Sequence, residues 1–530
     1  MLLHEIVERS EDNSPDAPAV IVEGRVVTFS ELEQRVERLA NAVASITERH
    51  ERVAFLSENT LEFADAYYAI ARVRRILVPL NYRLNPREWV EMLDATQTRV
   101  IIGERALLDA LEPHLATERR STDSAAASAA SGVERDFLLI EIGGDCAPGR
   151  IAYGNFADGS HPELESEIAT DPEETAWILF TSGTTGMPKG AMLPHRALIA
   201  AAENTALGRR VAEDDVYFLA FALCHVAGYN LLIMHSRARP VVLVKRFEAD
   251  EFLTLTKRHG VTNTSLAPTM VSTLLEHPEA DDLALESLRQ IAYGSSSVPA
   301  EILRRAMQRW GCDFAQGYGM TELGGNAVFM DGDAHRRGVT TDPHLLTAAG
   351  KPGPLAEARI VDHAMVDLPT GEVGEIVIRG AQVFSGYWND PASTAETIID
   401  GWLRTGDLGF IDSEGFISVV DRKKDIIVTG GENVASREVE EVLHRHPGVL
   451  EVAVIGVPDE HWGEAVCAAI VPRPGIAVTS EEIVALARNY LASYKKPRHV
   501  VLVESLPRNT SGKVMKHVLR DQVAEILASR

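Results

Sequence analysis

The chain has 530 residues, 45% of them hydrophobic, and carries 52 Lys and Arg against 77 Asp and Glu, a formal net charge of -25. That length exceeds what one hydrophobic core supports and predicts two or three domains. The acidic balance argues against a general nucleic-acid binder and against a polybasic membrane dock, while leaving room for a local positive patch that holds a nucleotide.

Four cysteines, Cys146, Cys224, Cys312 and Cys467, stand far apart without C-x-x-C spacing. A zinc site or redox pair is therefore not expected, and four free thiols suit a reducing cytosol. The opening MLLHEIVERSEDN lacks a basic n-region and does not read as a signal peptide. No run of 18 apolar residues occurs, so no membrane-spanning helix is expected. The closing ILASR carries no retention or peroxisomal address. The expected location is cytoplasmic.

In chain order, PAVIVEGRVVTF reads as a β-hairpin with Glu23-Gly24 at the turn. Thr28 and Glu31 then form a capping-box pair ahead of a helix with Leu32, Val36, Leu39 and Val43 on one face. Short β-branched runs follow, alternating with helical patterns: RVAFL, RILVPL, TRVII, AWILF, RPVVLV and CDFAQGYG. That alternation predicts α/β layers with largely parallel sheets. Residues 119–134, small and polar, read as a mobile surface loop or insertion. Near residue 421 the chain changes character. DRKKD is a charge cluster between two β-like runs, GFISVV and IIVTGG. Beyond it, Ser436 is expected to cap a helix carrying Val439, Val442 and Leu443. VLEVAVIGV and EAVCAAIVP read as strands, and Thr479 with Glu482 forms a second capping box ahead of Ile483, Leu486, Ala487 and Leu491. This part reads as a compact α+β module on a charged linker.

Five segments carry chemistry. TSGTTGMPKG, residues 181–190, follows the buried-strand pattern AWILF. Gly183 and Gly186 let backbone N–H groups approach a ligand, Thr181, Ser182, Thr184 and Thr185 add hydroxyls, and Lys189 adds a charge, which together suit a polyanion such as a triphosphate. The register is not that of a P-loop NTPase, because Lys189 is followed by Gly190. In QGYGMTE, residues 316–322, Gly317 and Gly319 leave space for a flat ring and Tyr318 offers a stacking face. Thr321 can bond a phosphate oxygen, and Glu322 can hold Mg²⁺, a hard ion that prefers oxygen. In WLRTGDLG, Asp407 can accept both hydrogens of a ribose diol. In DRKKDIIVTGGEN, Arg422 reaches ribose or phosphate and TGG offers bare backbone to a second ligand. In LPRNTSGKV, Lys513 sits in a small-residue loop. Taken singly, each also reads as an ordinary turn, a solvated linker or a surface lysine.

Their order and spacing together resemble the adenylate-forming superfamily: acyl-CoA synthetases, peptide-synthetase adenylation domains and beetle luciferases. The resemblance covers nearly the whole chain. It implies an α/β fold, with a large N-terminal domain of two mixed sheets flanked by helices plus a distorted β-barrel, and a small mobile α+β C-terminal domain. Here these would be residues 1–420, a hinge linker at 421–426 and a lid at 427–530, with Lys424 at the hinge. It also implies two steps, in which a carboxylate attacks the α-phosphate of ATP and a thiol then displaces AMP. By the same resemblance, the 181–189 loop takes the β- and γ-phosphates. Thr321 and Glu322 fix the α-phosphate and Mg²⁺, and Asp407 and Arg422 anchor ribose. Gly294 and Ser295 of AYGSSSVP edge the adenine, and Gln316, Gly317, Tyr318, Gly319 and Met320 complete the nucleotide site. Lys513 stabilises charge at the α-phosphate, and after rotation Gly430 and Gly431 reach a coenzyme A tunnel.

FALCHVAGYN resembles the segment lining the acyl pocket. It holds His225 and no acid to pair an α-amino group, which disfavours amino acids. His225, Val226, Gly228, Ser295 and Tyr318 would border an apolar acid: fatty, aryl or alicyclic. The leading expectation is an acyl-CoA synthetase using ATP, Mg²⁺ and coenzyme A, acting alone or as a homodimer. Alternatives are a stand-alone ligase charging a carrier protein, a remote luciferase-like oxygenase, and a non-catalytic nucleotide sensor. Retention of Glu322, Asp407, Arg422 and Lys513 weighs against the sensor.

Overall fold

The computed structural model describes residues 1–121, 137–159, 161, 170–181, 188–280, 285–294, 298, 300–459, 461–509 and 513–528. The expected surface loop at 119–134 therefore lies almost wholly outside the described residues, as do Ser182, Gly183, Thr184, Thr185, Gly186 and Ser295. The chain divides into two compact units, one of residues 1–357 and 378–403, the other of residues 358–377 and 404–530.

The first unit opens with the expected hairpin. Strands Pro18–Val22 and Arg25–Thr28 are joined by Glu23 and Gly24 at φ 50° and 78°, the doubly left-handed turn whose twist matches paired strands. Thr28 caps the helix Phe29–Ile46 reciprocally with Glu31. Leu32, Val36, Leu39 and Val43 are fully buried along that helix, each contributing up to about 1.5–3 kcal/mol of apolar burial.

A nine-stranded sheet holds the parallel run Pro18–Val22, Val241–Leu243, Tyr217–Leu219, Asn263–Ser265, Gln290–Gly294 and Asp313–Met320. Gly325–Met330 then turns back antiparallel, with a register shift between Tyr318 and Gly319. An eight-stranded sheet centres on Arg52–Leu56, Ile76–Leu80 and Val100–Glu104, all parallel. Their almost unbroken apolar runs fit strands covered on both faces. Thr175–Thr181 lies parallel to Ile76–Leu80, and Lys189–Pro194 returns antiparallel to it. Open sheets of this kind bind ligands at the carboxyl ends of their parallel strands. Gly294, Met320 and Thr181 stand at such ends.

A five-stranded sheet is built from strands between Ala356 and Arg422. Its strand Trp402–Ile411 pairs with three neighbours along its length: Gly374–Gly380, Ile398–Ile399 and Ile417–Arg422. Further on, the antiparallel pair Val449–Asp459 and Gly463–Pro472 centres a second five-stranded sheet. Successive residues there face opposite sides. Val454 packs with Val439, Leu443 and Ile483, whereas Ile455 packs with Val501, Leu519 and Val523. Helices Ser436–Leu443 and Ser480–Tyr490 thus cover one face and Lys516–Ala528 the other. Thr479 and Glu482 form the expected capping box.

One detail differs from the sequence reading. Ser436 is the first helical residue, not the cap, and its side chain makes no capping bond to its own helix. Its N–H and hydroxyl are instead given to the buried carboxylate of Asp421. Residues 404–420, expected in the large domain, fall in the same compact unit as the expected hinge and lid. Strand Ile417–Arg422 packs with the following module through Asp421–Ser436 and through Arg437, which donates to the Val419 carbonyl at 3.2 Å.

Candidate active site

In the first unit, Thr181 and Lys189 face each other as the last pair of an antiparallel hairpin, with the Thr181 hydroxyl donating to the Lys189 carbonyl at 3.4 Å. The segment between them is the Gly/Thr-rich loop outside the described residues. Pairing of its two feet fixes where that loop begins and ends. The Lys189 ammonium lies 3.4 Å from Asp390, donates to the Ser393 hydroxyl, and stands 5.3 Å from the Tyr387 ring centroid. A cavity of about 320 Å³ borders Lys189, Phe180, Trp388 and Asp390. A larger recess of about 460 Å³, lined by Met307, Asp333, Arg336 and Thr340, holds solvated ion pairs and none of the residues singled out above.

Glu322 sits in a single 3₁₀ turn, Thr321–Leu323, at the end of strand Asp313–Met320. Its carboxylate is buried and accepts the Tyr387 hydroxyl at 2.8 Å, while its carbonyl accepts the Phe384 N–H at 2.9 Å. Thr321 beside it is half-buried. Among the described residues, no cluster of three His, Cys, Asp or Glu is placed to hold a metal. A single carboxylate fits Mg²⁺, which keeps waters and takes substrate phosphate oxygens instead of a full protein cage.

The glycines beside this turn have a packing cause. A Cβ at Gly319 would meet the Gly325 carbonyl at 2.0 Å, and one at Gly317 would meet Asn326 Nδ2 at 2.3 Å. A Cβ at Gly294 would meet the Gly317 carbonyl at 2.6 Å. Close approach of neighbouring backbone therefore demands Gly294 and Gly319, whereas Gly317 makes room for the Asn326 side chain. Tyr318 pairs with Val328 and Met320 with Gly325. Tyr293 donates to Gln316 Oε1 at 3.1 Å and is itself bonded to His335 at 2.9 Å, which orients the Gln316 amide from behind.

His225 precedes the 3₁₀ turn Val226–Tyr229. Its Nε2 is buried with no hydrogen-bond partner among the described residues. Burial, then the Arg83 charge, lowers its pKa to about 4, so the ring is neutral at ordinary pH. Gly228 is buried against Tyr67, whose hydroxyl donates to the Leu223 carbonyl.

In the second unit, Asp407 and Arg422 are cross-strand partners, with Arg422 Nε 3.3 Å from Asp407 Oδ1. The Asp407 side chain is 10% exposed and that of Arg422 38%. Gly406, at φ 71°, turns the chain into Asp407, whose N–H donates to Thr405 Oγ1 at 3.1 Å. Lys513 feels the charges of both Asp407 and Arg422. Crowding by protein, then the like charge of Arg422, pulls its ammonium down to about 8. Its surface is exposed, so solvent tempers the shift. Asn509 pinches the loop carrying it, accepting the Lys513 N–H at 2.8 Å and donating its own N–H to the Lys513 carbonyl at 2.8 Å. Lys424 stands two residues beyond Arg422, and its ammonium is lowered by partial desolvation and then by the Arg422 charge. Gly430 and Gly431 are both left-handed, at φ 60° and 84°, and Gly430 donates to the Trp462 carbonyl at 2.8 Å. The Arg498 guanidinium lies 4.4 Å from the Trp462 ring.

Sequence reasoning passed over Tyr387, Asp390, Trp462 and Arg498. The stretch GYWNDPAST held the only available signal for the first two, and EHWGE for Trp462.

The family model described as AMP-binding enzyme matches residues 7–388, and that described as AMP-binding enzyme C-terminal domain matches residues 438–513. A feruloyl-CoA synthase of Amycolatopsis is 34% identical over 512 residues, covering 96% of this chain and 96% of its own. The fatty acid–[acyl-carrier-protein] ligase ScoC of Streptomyces coeruleorubidus is 31% identical over 518 residues, covering 96% and 94%. The ATP-bound crystal structure of MatB from Rhodopseudomonas palustris superposes with a TM-score of 0.86 at 28% identity, covering 99% of this chain and 100% of that one.

Proposed function

This chain belongs to the AMP-binding enzymes, and on that premise we propose where each step of its chemistry is carried out. It is an ATP-dependent, AMP-forming acid–thiol ligase. A carboxylic acid and ATP give an acyl-adenylate and pyrophosphate, and coenzyme A then displaces AMP to form the thioester. The described residues contain no helix long and apolar enough to cross a membrane.

An acid and a triphosphate repel each other, so the site must neutralise both before attack. Lys189 and the loop it closes take the β- and γ-phosphates. Glu322 and Thr321 stand at the α-phosphate, with Mg²⁺, when bound, neutralising phosphate charge. Asp407 accepts the ribose hydroxyls, with Arg422 holding its carboxylate in place. Lys513 stabilises the negative charge that grows on the α-phosphate as the acid attacks. The observation that carries this reading is the cross-strand Asp407–Arg422 pair, 3.3 Å apart, with Lys513 in the same compact unit and near enough to feel both charges. Gln316, held by Tyr293, faces the base, beside Gly294. A hinge within 421–426, at Lys424, exchanges Lys513 for Gly430 and Gly431, and the Trp462–Arg498 plate beside Gly430 supports coenzyme A there.

The acid is apolar: fatty, aryl or alicyclic. His225 supports this, since a neutral imidazole cannot pair an α-ammonium group as a carboxylate would, and its unpartnered Nε2 suits a polar substituent or the reacting carboxyl. The resemblance to a fatty acid–[acyl-carrier-protein] ligase favours a second reading, in which a carrier-protein thiol replaces coenzyme A. The enzyme is expected in the cytoplasm, as a monomer or homodimer. Pyrophosphate release over a panel of carboxylic acids, with and without coenzyme A, tests the proposal. Turnover that needs coenzyme A supports the first reading, and adenylation without a coenzyme A product supports the carrier-protein reading. Silence with every acid would favour a nucleotide sensor instead.

A further inference from the structure

Tyr387 stands between the two charged groups assigned above to the phosphate end of ATP. Its hydroxyl donates to Glu322 Oε1 at 2.8 Å, and its ring lies 5.3 Å from the Lys189 ammonium. Both contacts are braced. The Tyr387 N–H donates to Thr394 Oγ1 at 2.8 Å, its ring meets Phe384 edge-on at 4.9 Å, and the Phe384 N–H holds the Glu322 carbonyl. The lysine tip is held by Asp390 and Ser393, which are themselves joined by the Ser393 N–H donating to Asp390 at 2.9 Å. Burial, then the Glu322 charge, keeps the Tyr387 phenol protonated well past neutral pH, so it acts as a donor.

We propose that Tyr387 is a positioning residue that couples the phosphate-binding lysine to the carboxylate of the divalent cation: its hydroxyl sets the plane of Glu322, and its ring seats Lys189. A glutamate's last torsion is soft. Magnesium, by contrast, demands an oxygen at about 2.1 Å in near-octahedral geometry. A donor fixed on Oε1 removes that softness before the cation arrives. A long lysine loses much rotamer freedom on binding phosphate, and an aromatic face beneath it removes part of that loss in advance. The inference rests on the reading of Glu322 as the cation's carboxylate.

The test is binding, read by calorimetric titration of ATP into the full chain with excess Mg²⁺ and again with EDTA. Tyr387→Phe keeps the ring and its volume but loses the hydroxyl. It should weaken ATP binding about tenfold with magnesium, the scale of a hydrogen bond to a charged group, and leave the EDTA value within about twofold. Tyr387→Leu should in addition weaken binding in EDTA by about threefold, the scale of a cation–π contact. Tyr387→Phe with the wild-type magnesium gain, or with equal loss in both conditions, overturns the proposal. Glu322→Gln separates the two levels. If it keeps the full magnesium gain, the reading of Glu322 itself fails and the positioning role falls with it. If it loses that gain while Tyr387→Phe does not, only the positioning role fails.

Discussion

The Asp421 carboxylate accepts two hydrogen bonds from Ser436, one from its N–H and one from its hydroxyl at 2.7 Å. Lys516 donates to the same hydroxyl and pairs with Glu440 at 2.8 Å, so strand Ile417–Arg422 is tied to two helices at one point. Asp421 and Ser436 lie on opposite sides of Lys424 in the chain, so any swing about Lys424 must part them. The contact therefore favours the arrangement in which Lys513 attends Asp407. Asp421→Ala is expected to slow adenylation by about tenfold, the value of a charge-assisted contact. It should leave thioester formation from preformed acyl-adenylate no slower. Assay of the two half-reactions checks this, and an equal fall in both would mean that the contact supports the fold alone.

Lys513→Ala removes the cationic side chain assigned to the α-phosphate. Adenylation is expected to fall on the order of 10²–10³, the scale of losing one preorganised charge donor, while thioester formation from preformed acyl-adenylate survives. Rapid-quench measurement of each step decides. Equal loss in both would refute a role confined to the first.

The lowered Lys513 ammonium sets a pH limb. A lysine stabilises phosphate charge only when protonated, and its proton is lost as pH rises through a folded value lowered from the ordinary lysine range toward 8. Adenylation kcat/KM, which reports the free enzyme, is therefore expected to fall above a pH near 8. It should fall less in kcat, because bound phosphates restore the proton. Lys513→Arg, with a guanidinium that stays charged, should lose the limb even where its absolute rate is lower. His225 is already neutral well below that range and contributes no limb there.

Gly228→Ala places a methyl group 2.0 Å from the Tyr67 hydroxyl and 2.8 Å from the Leu223 carbonyl. Both neighbours are buried and bonded to each other, so neither yields cheaply. Overpacking of this kind costs about 1–3 kcal/mol. Thermal unfolding should show a lower first transition, and the KM for the acid should rise more than that for ATP.

What the sequence made legible is what is local. The Glu23-Gly24 turn, the Thr28–Glu31 and Thr479–Glu482 boxes and the alternation of strands with helices each rest on residues a few positions apart. The motif residues were legible through their order along the chain. The rest depends on partners that chain order does not reveal. Ser436 looked like a cap because serine usually is one, but its acceptor arrives from 15 residues upstream. Tyr387 meets Glu322 across 65 residues, and Lys189 meets Ser393 across 204. Gly317 and Gly319 were assigned to a ligand's ring, yet the backbone of the neighbouring strand alone is enough to require Gly319.

The pinch that Asn509 puts on its loop has a consequence for how this protein tolerates change. The height at which the Lys513 ammonium is offered depends on two hydrogen bonds between the Lys513 main chain and Asn509, a residue with no charge of its own. A deep mutational survey would therefore score Asn509 as severely as a reactive group, although its work is that of a jeweller's setting, which holds the stone in place.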